Sequence, residues 1–153
     1  MNILIAPESR GSIRLASSSP TDAPLVDPGL FTNPIDSQLM YECARMNITA
    51  IKNSSATSKY GAVEFGIAEA DRDDLSDEAL RRRLVQTCST VFHGSGTCAM
   101  GTVVDSECRV LGVRGLRVID ASIFPFPIGA HYQAAVYAVA EQVRASCFRK
   151  WIY

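Results

Sequence analysis

The sequence predicts an α+β fold in which an antiparallel sheet is flanked by helices. Near the N-terminus apolar and polar residues alternate, which is the pattern of short strands. Further along the chain, apolar residues recur at spacings of three and four, which indicates helices with one buried face. The 153 residues are 47% apolar and carry a net charge of −1, so they can form a core, and we expect no nucleic-acid partner.

The first 34 residues combine strand signals with a loop. Apolar residues alternate on both sides of a polar turn at residues 7–12, which predicts two short strands within residues 2–16. Residues 17–34 contain four of the seven prolines. We therefore expect a surface loop without regular structure over residues 17–34.

Three helices are predicted after this loop. The first begins at Asp36 and ends near Asn53, and Ser76 is the expected N-cap of the second, which runs to Cys88. The third follows His131 and carries alanine and valine residues on one side. These helices would pack against the predicted sheet.

A glycine-rich segment at residues 91–101 surrounds His93 with three glycines. Residues 94–99 formally match the Gly-x-Gly-x-x-Ala pattern of dinucleotide-binding proteins. That pattern opens a long helix in such proteins, whereas the β-branched residues at 102–104 follow almost at once here. The context therefore argues against a dinucleotide fingerprint.

The same segment raises the alternative of a serine hydrolase. Ser95, His93 and Asp120 supply the three residue types of a catalytic triad. The sequence lacks the Gly-x-Ser-x-Gly elbow of the common hydrolase fold, which makes this alternative a weak one.

The last third of the chain predicts a strand, a rigid loop and a helix. Residues 116–120 form an apolar run of strand length, and two prolines stiffen the loop at residues 123–129. His131 follows the loop at the start of the helix, where backbone N–H groups can hold an electron-rich group. The chain contains only two histidines, and both lie in glycine-rich junctions, which favours a joint functional role.

These motifs resemble the C-terminal region of the glucose-methanol-choline (GMC) oxidoreductases. The resemblance rests on the His-x-x-Gly-Thr motif at residues 93–97, on residues 103–122, and on His131 before a helix. Residues 6–15 and the Asn-Pro-x-Asp motif at 33–36 resemble the start of the family's substrate domain. The Phe124-Pro125 and His131-x-Gln133 pairs are most similar to fungal aryl-alcohol and secondary-metabolite members.

The resemblance implies an FAD enzyme that oxidises a small-molecule alcohol. In the family the histidine of the His-x-x-Gly-Thr motif is the base, which corresponds to His93, while His131 corresponds to the group that positions the substrate oxygen. Imidazole groups suit this work because they titrate near neutral pH. The resemblance also implies the residues that lie against the cofactor, namely Asp120, Ala121, Gly129, Ala130, His131, Tyr132 and Gln133. No metal site is expected, since the cysteine spacings match no zinc pattern.

The resemblance also divides the chain into two regions. Residues 1–90 correspond to substrate-domain strands and helices, and residues 91–153 to the catalytic histidine loop and the strand-loop-helix that contacts the flavin. This strand-loop-helix would complete an FAD-binding Rossmann-like domain, whose Gly-x-Gly-x-x-Gly unit we expect to be absent. Three alternatives stay open: a lyase or cyclase that performs no net redox reaction, half of a split enzyme whose FAD-binding domain is a separate chain, and a non-catalytic remnant.

The N-terminal residues do not predict export. Pro7 and Glu8 interrupt the first apolar stretch before it reaches the length of a signal peptide's apolar region. No apolar run reaches the length of a membrane span. We therefore expect no membrane association and, by default, a cytoplasmic protein.

Overall fold

The computed structural model describes residues 2–149 and confirms the α+β class, with helices and a small antiparallel sheet. The strands are β1 (Ser12–Arg14) and β2 (Leu25–Asp27). The helices are α1 (Pro34–Asn53), α2 (Ser55–Lys59), α3 (Asp77–Thr87) and α4 (Gln133–Arg149). Short 3₁₀ turns lie at Glu69–Asp71 and Ala121–Ile123.

The strand pairing at the N-terminus differs from the predicted one. Of the two strands expected within residues 2–16, only β1 forms, and its antiparallel partner β2 lies in the segment expected to be irregular. Ile13 faces Val26 across the pair. Gly11 permits this approach, because a Cβ atom there would lie 2.2 Å from the carbonyl oxygen of Asp27. A three-residue strand such as β2 is stabilised by pairing with its neighbour, so the local sequence alone does not predict it.

The predicted first helix is confirmed and starts two residues earlier than expected. Asn33 is the N-cap, and its side chain accepts a hydrogen bond of 3.0 Å from the N–H group of Ile35. Pro34 occupies the first helical position, where its missing N–H group costs nothing. The helix ends at Asn53, as the sequence predicts.

Asp36, in the first turn of α1, ties the N-terminal segment to this helix. Its buried carboxylate accepts hydrogen bonds from the N–H groups of Glu8 at 2.9 Å and Ser9 at 2.7 Å. Burial by itself raises the pKa of Asp36. Hydrogen bonds from Ser9 and from the Glu8 backbone outweigh that effect, so the pKa of Asp36 lies below its usual value.

The predicted second helix, α3, is also confirmed. The Ser76 hydroxyl accepts a hydrogen bond of 3.3 Å from the N–H group of Ala79. Helix α3 buries Ala79, Leu80 and Arg83. With α1 and α2 it belongs to a first compact unit, made of residues 29–89 with 2–4 and 8–10. No pattern in the sequence predicts the five-residue helix α2.

A second compact unit contains residues 90–149 with 5–7 and 11–28. Its core consists of buried side chains from the loops and from α4, namely Val104, Cys108, Ile123 and Val143. The strand predicted at residues 116–120 does not form as a regular ladder. A single bridge joins Arg117 to Arg109, and the half-buried Val118 and Ile119 pack on the core instead. Side-chain burial rather than a strand ladder therefore accounts for this apolar run.

The helices of the described chain give no sign of a membrane crossing. None of them, over residues 2–149, combines the length with the apolar character that a bilayer span requires.

Candidate active site

The two histidines of the chain lie in direct contact within the second unit. His93 Nε2 and His131 Nδ1 are 2.7 Å apart, which is a hydrogen-bonding distance. The ring centroids are 4.8 Å apart, and the rings meet edge to face at 64°. His93 is half-buried and His131 is exposed. The structure therefore brings together the pair that the sequence singled out.

The glycine-rich segment reaches His131 because its downstream end is fixed to the short turn that precedes α4. The N–H group of Cys98 donates to the carbonyl of Ser122 at 2.9 Å, and that of Met100 to the carbonyl of Ile123 at 2.8 Å. Gly96 adopts a φ of +87°, a conformation that glycine tolerates better than other residues. The chain turns there and carries His93 back toward the start of α4.

A second contact runs beside the histidine pair. The hydroxyl groups of Ser95 and Tyr132 share a hydrogen bond of 3.2 Å. Tyr132 is buried, and its ring stacks on Phe124 with centroids 5.7 Å apart. The Tyr132 ring also lies 5.2 Å from the ring of His93. The sequence does not predict this contact, because no local pattern links two hydroxyl groups that are 37 residues apart.

The contacts of these side chains contradict the serine hydrolase alternative. Ser95 contacts Tyr132, and His93 contacts His131. The exposed Asp120 instead caps the 3₁₀ turn at Ala121–Ile123, where its carboxylate accepts the N–H group of Ser122 at 2.8 Å. A triad requires hydrogen bonds between nucleophile, base and carboxylate, and the three side chains do not form that chain of contacts.

The two ring nitrogens of His93 have different surroundings. Nε2 contacts His131, whereas Nδ1 is buried and has no hydrogen-bond partner among the described residues. Two imidazoles at 2.7 Å can hold one additional proton as a pair, because the protonated ring donates to the neutral one. The pair is thus suited to accept a proton and to return it.

The start of α4 can accept the edge of a flavin ring. Gly129, Ala130 and Gln133 are exposed beside His131, so small residues and backbone lie at the surface there. The first N–H groups of a helix have no acceptor within the helix and suit an electron-rich ring edge. The orphaned Nδ1 of His93 is a buried polar atom on the ring that contacts His131, which also fits a site that a further group completes. Of the other predicted cofactor residues, Ala121 is half-buried and the Tyr132 side chain is engaged with Ser95.

Residues 94–99 do not form a pyrophosphate-binding loop. A turn and a bridge at Met100 follow this stretch, and no helix begins there. Without a helix N-terminus the segment lacks the feature that binds a dinucleotide phosphate, as the sequence context indicated. Within residues 2–149, no group of three or more His, Cys, Asp or Glu side chains is arranged to hold a metal ion.

Comparison with known families identifies one family over most of the chain. A family model described as GMC oxidoreductase matches residues 7–140, which include both histidines. This chain belongs to the GMC oxidoreductase family. The His-x-x-Gly-Thr motif around His93 and the first part of α4 lie within the region that matches the GMC oxidoreductase model.

Similar curated proteins are fungal members of this family. The chain is 41% identical to a GMC-type oxidoreductase of Aspergillus aculeatus, over 92% of this chain and 27% of the relative. It is 39% identical to a dehydrogenase of Monascus ruber, over 89% of this chain and 22% of the relative. It is 34% identical to a versicolorin B synthase of Aspergillus parasiticus, over 93% of this chain and 23% of the relative.

A solved structure supports the same assignment. The structure of a fungal aryl-alcohol oxidase matches with a TM-score of 0.80 and 33% identity, over 98% of this chain and 25% of the oxidase. The chain therefore spans about a quarter of the length of the family members it matches.

Proposed function

We propose that this chain carries the acid–base centre of an FAD-dependent oxidoreductase that oxidises a small-molecule alcohol. The observation that supports this proposal is the 2.7 Å contact between His93 Nε2 and His131 Nδ1. Alcohol oxidation requires removal of the hydroxyl proton as well as a hydride, and a coupled imidazole pair meets the first requirement. Family membership supports an oxidoreductase.

In this proposal His93 takes the hydroxyl proton and His131 orients the alcohol oxygen. The proton enters the histidine pair away from His93 Nδ1, since that nitrogen is buried. Because His93 Nε2 already faces His131 Nδ1, the proton passes to His93 through the hydrogen bond between these two nitrogens. The half-buried setting of His93 limits competition from water, while the exposed His131 faces the incoming alcohol.

FAD, when bound, would supply the two-electron chemistry by accepting the hydride from the alcohol carbon. Residues 129–133, which lead into α4, would hold the ring edge, with the first backbone N–H groups of the helix directed toward it. Asp120 and Ala121 lie on the same unit and would contact the cofactor as the family resemblance implies. The FAD pyrophosphate would be held by residues outside these 153, in the same polypeptide or in a separate chain. Intact mass of the native protein distinguishes these two sources.

A single substitution tests the role of His93. In the flavin-loaded protein, His93→Ala should slow anaerobic flavin reduction by the alcohol about 100- to 10,000-fold, the range for loss of a general base. Stopped-flow absorbance of the flavin measures this rate. Gln86→Ala, at an exposed position of α3, is the control and should leave the rate unchanged. Reduction of the His93→Ala protein at the parent rate would show that His93 is not the base.

The names of some relatives favour a second candidate function. Versicolorin B synthase and patulin synthase are named for synthesis rather than dehydrogenation, at 34% and 35% identity. The histidine pair could equally perform acid–base work on a substrate without net redox change. Substrate turnover with no bleaching of the flavin and no use of an electron acceptor would support this second candidate over alcohol oxidation.

A further inference from the structure

The loop at residues 93–97, which contains His93, is poorly fixed by backbone hydrogen bonds. Within the described residues, no backbone-to-backbone hydrogen bond involves residues 93–97. The first such bond downstream is formed by Cys98. Two glycines within this stretch, Gly94 and Gly96, add backbone freedom. Side-chain contacts must therefore fix the position of His93.

Two side-chain contacts perform this task, and they involve alternate residues of the loop. His93 contacts His131, and Ser95 contacts Tyr132 at 3.2 Å. Two residues of the loop, two positions apart, thus contact the two consecutive residues just before α4. Because His131 is exposed, its contact with His93 is not enclosed by other side chains. The contact between Ser95 and Tyr132, in contrast, involves a side chain that is held rigidly.

That side chain belongs to Tyr132 and is held on several sides. It is 8% exposed and stacks on Phe124 at an interplanar angle of 28°. Its carbonyl accepts the N–H group of Val136 at 2.9 Å, which ties the residue to the first turn of α4. The phenol oxygen therefore has a fixed position, and its hydrogen bond with the Ser95 hydroxyl fixes the position of Ser95.

We infer that Ser95 and Tyr132 are positioning residues that hold His93 in register with His131. This inference rests on the proposed function, in which the pair handles the substrate proton. A hydrogen bond between two neutral hydroxyl groups adds little to overall stability. A displacement of about 1 Å at a catalytic group can lower a rate about 100-fold. Loss of the Ser95–Tyr132 bond should therefore affect the rate far more than stability.

The first test measures the histidine contact directly, in the flavin-loaded protein. The imidazole ¹⁵N spectrum of the parent should show a scalar coupling across the hydrogen bond between His93 and His131. The signals of His93 and His131 are assigned by comparison with His93→Ala and His131→Gln. Tyr132→Phe and Ser95→Ala should each reduce or abolish this coupling and leave the circular dichroism spectrum unchanged. Tyr137→Phe makes the same change at an exposed tyrosine of α4 and should leave the coupling intact.

The second test uses the flavin-loaded protein. Tyr132→Phe and Ser95→Ala should each lower kcat by about 10- to 100-fold with KM little changed, since the misplaced group acts on the chemical step. The double variant should be no slower than the slower single variant, because both substitutions remove the same bond.

Three results would overturn the inference. They are a parent spectrum without the coupling, a coupling that survives in both single variants, and losses of kcat that multiply fully in the double variant. A parent protein that does not oxidise an alcohol would refute the proposed function instead, and the ¹⁵N spectra would still decide whether Ser95 and Tyr132 position the pair.

Discussion

Asp36 shows how a single buried charge can connect two segments of the chain. Its carboxylate accepts two backbone N–H groups from residues 8–9, and both bonds are shorter than 3.0 Å. The same residue lies in the first turn of α1, where the helix dipole favours a negative charge. Asp36 therefore stabilises both the helix start and the docked N-terminal segment, provided that it is ionised.

We predict that Asp36→Asn destabilises the chain by about 1 to 3 kcal/mol, because an amide satisfies the two donors less well. The lowered pKa of Asp36 means that its stabilisation is fully present above the unfolded value, near 3.8, and is lost as the pH falls through the lower folded value. The parent should therefore lose stability in acid more steeply than the variant. Urea unfolding between about pH 7 and pH 3 measures both effects.

Glu69→Gln removes a carboxylate at an exposed position and is the matched control. It should change stability by less than about 0.5 kcal/mol. An Asp36→Asn protein with the stability and acid sensitivity of the parent would contradict the role assigned to this carboxylate.

At the scale of elements, local signals account for the long helices. The N-caps Asn33 and Ser76 both form the hydrogen bonds that their residue types indicate. The position of α3 also depends on contacts outside the helix, because its buried Arg83 contacts residues that precede the helix. The guanidinium donates to the carbonyls of Asp71 and Asp74 and pairs with Glu64 at 3.3 Å.

We predict that Arg83→Met lowers the free energy of unfolding by about 1 to 3 kcal/mol. Methionine keeps much of the apolar stem, but it leaves the Asp74 carbonyl and the Glu64 carboxylate without the guanidinium donor, while the Asp71 carbonyl keeps the N–H group of Asp74. Arg81→Met is the matched control on the same helix, since Arg81 is exposed and forms an ion pair with the exposed Glu78 one turn away. That change should cost less than about 1 kcal/mol. Equal losses in the two variants, measured by urea unfolding, would contradict a special role for Arg83.

At the scale of the whole molecule, the described chain exposes many large apolar side chains. Leu15 is 84% exposed, Phe65 97% and Phe92 89%. The sheet is a single pair of three-residue strands, and such two-stranded pairs are marginally stable in water. The chain therefore presents apolar surface that folded monomers normally cover.

We predict that the isolated 153-residue chain binds an apolar fluorescent dye and melts over a broad temperature range. Dye fluorescence and calorimetry measure these properties. The reason is that exposed apolar surface binds the dye, and a small core gives weak cooperativity. A sharp two-state melt without dye binding would show that the chain is a self-sufficient domain.

The sequence predicted the helices and the histidine pair better than the strands. N-cap residues and apolar spacing within about a dozen residues predict helices α1 and α3. Strand β2 does not, because a three-residue strand exists only through its partner, and the apolar run at residues 116–120 is buried without forming a ladder. The Ser95–Tyr132 bond joins two ordinary hydroxyl groups, and nothing in their local sequence marks them.

The sequence by itself determined the family, the α+β class, the long helices and the two histidines, because these depend on residue types at short spacings. Only the tertiary structure decided that His93 Nε2 meets His131 Nδ1, that Ser95 bonds Tyr132 rather than forming a triad, and that β1 pairs with β2. Those contacts join residues that are far apart in the chain. Their geometry depends on how loops close over a core, and spacing along the sequence does not encode that closure in any local pattern.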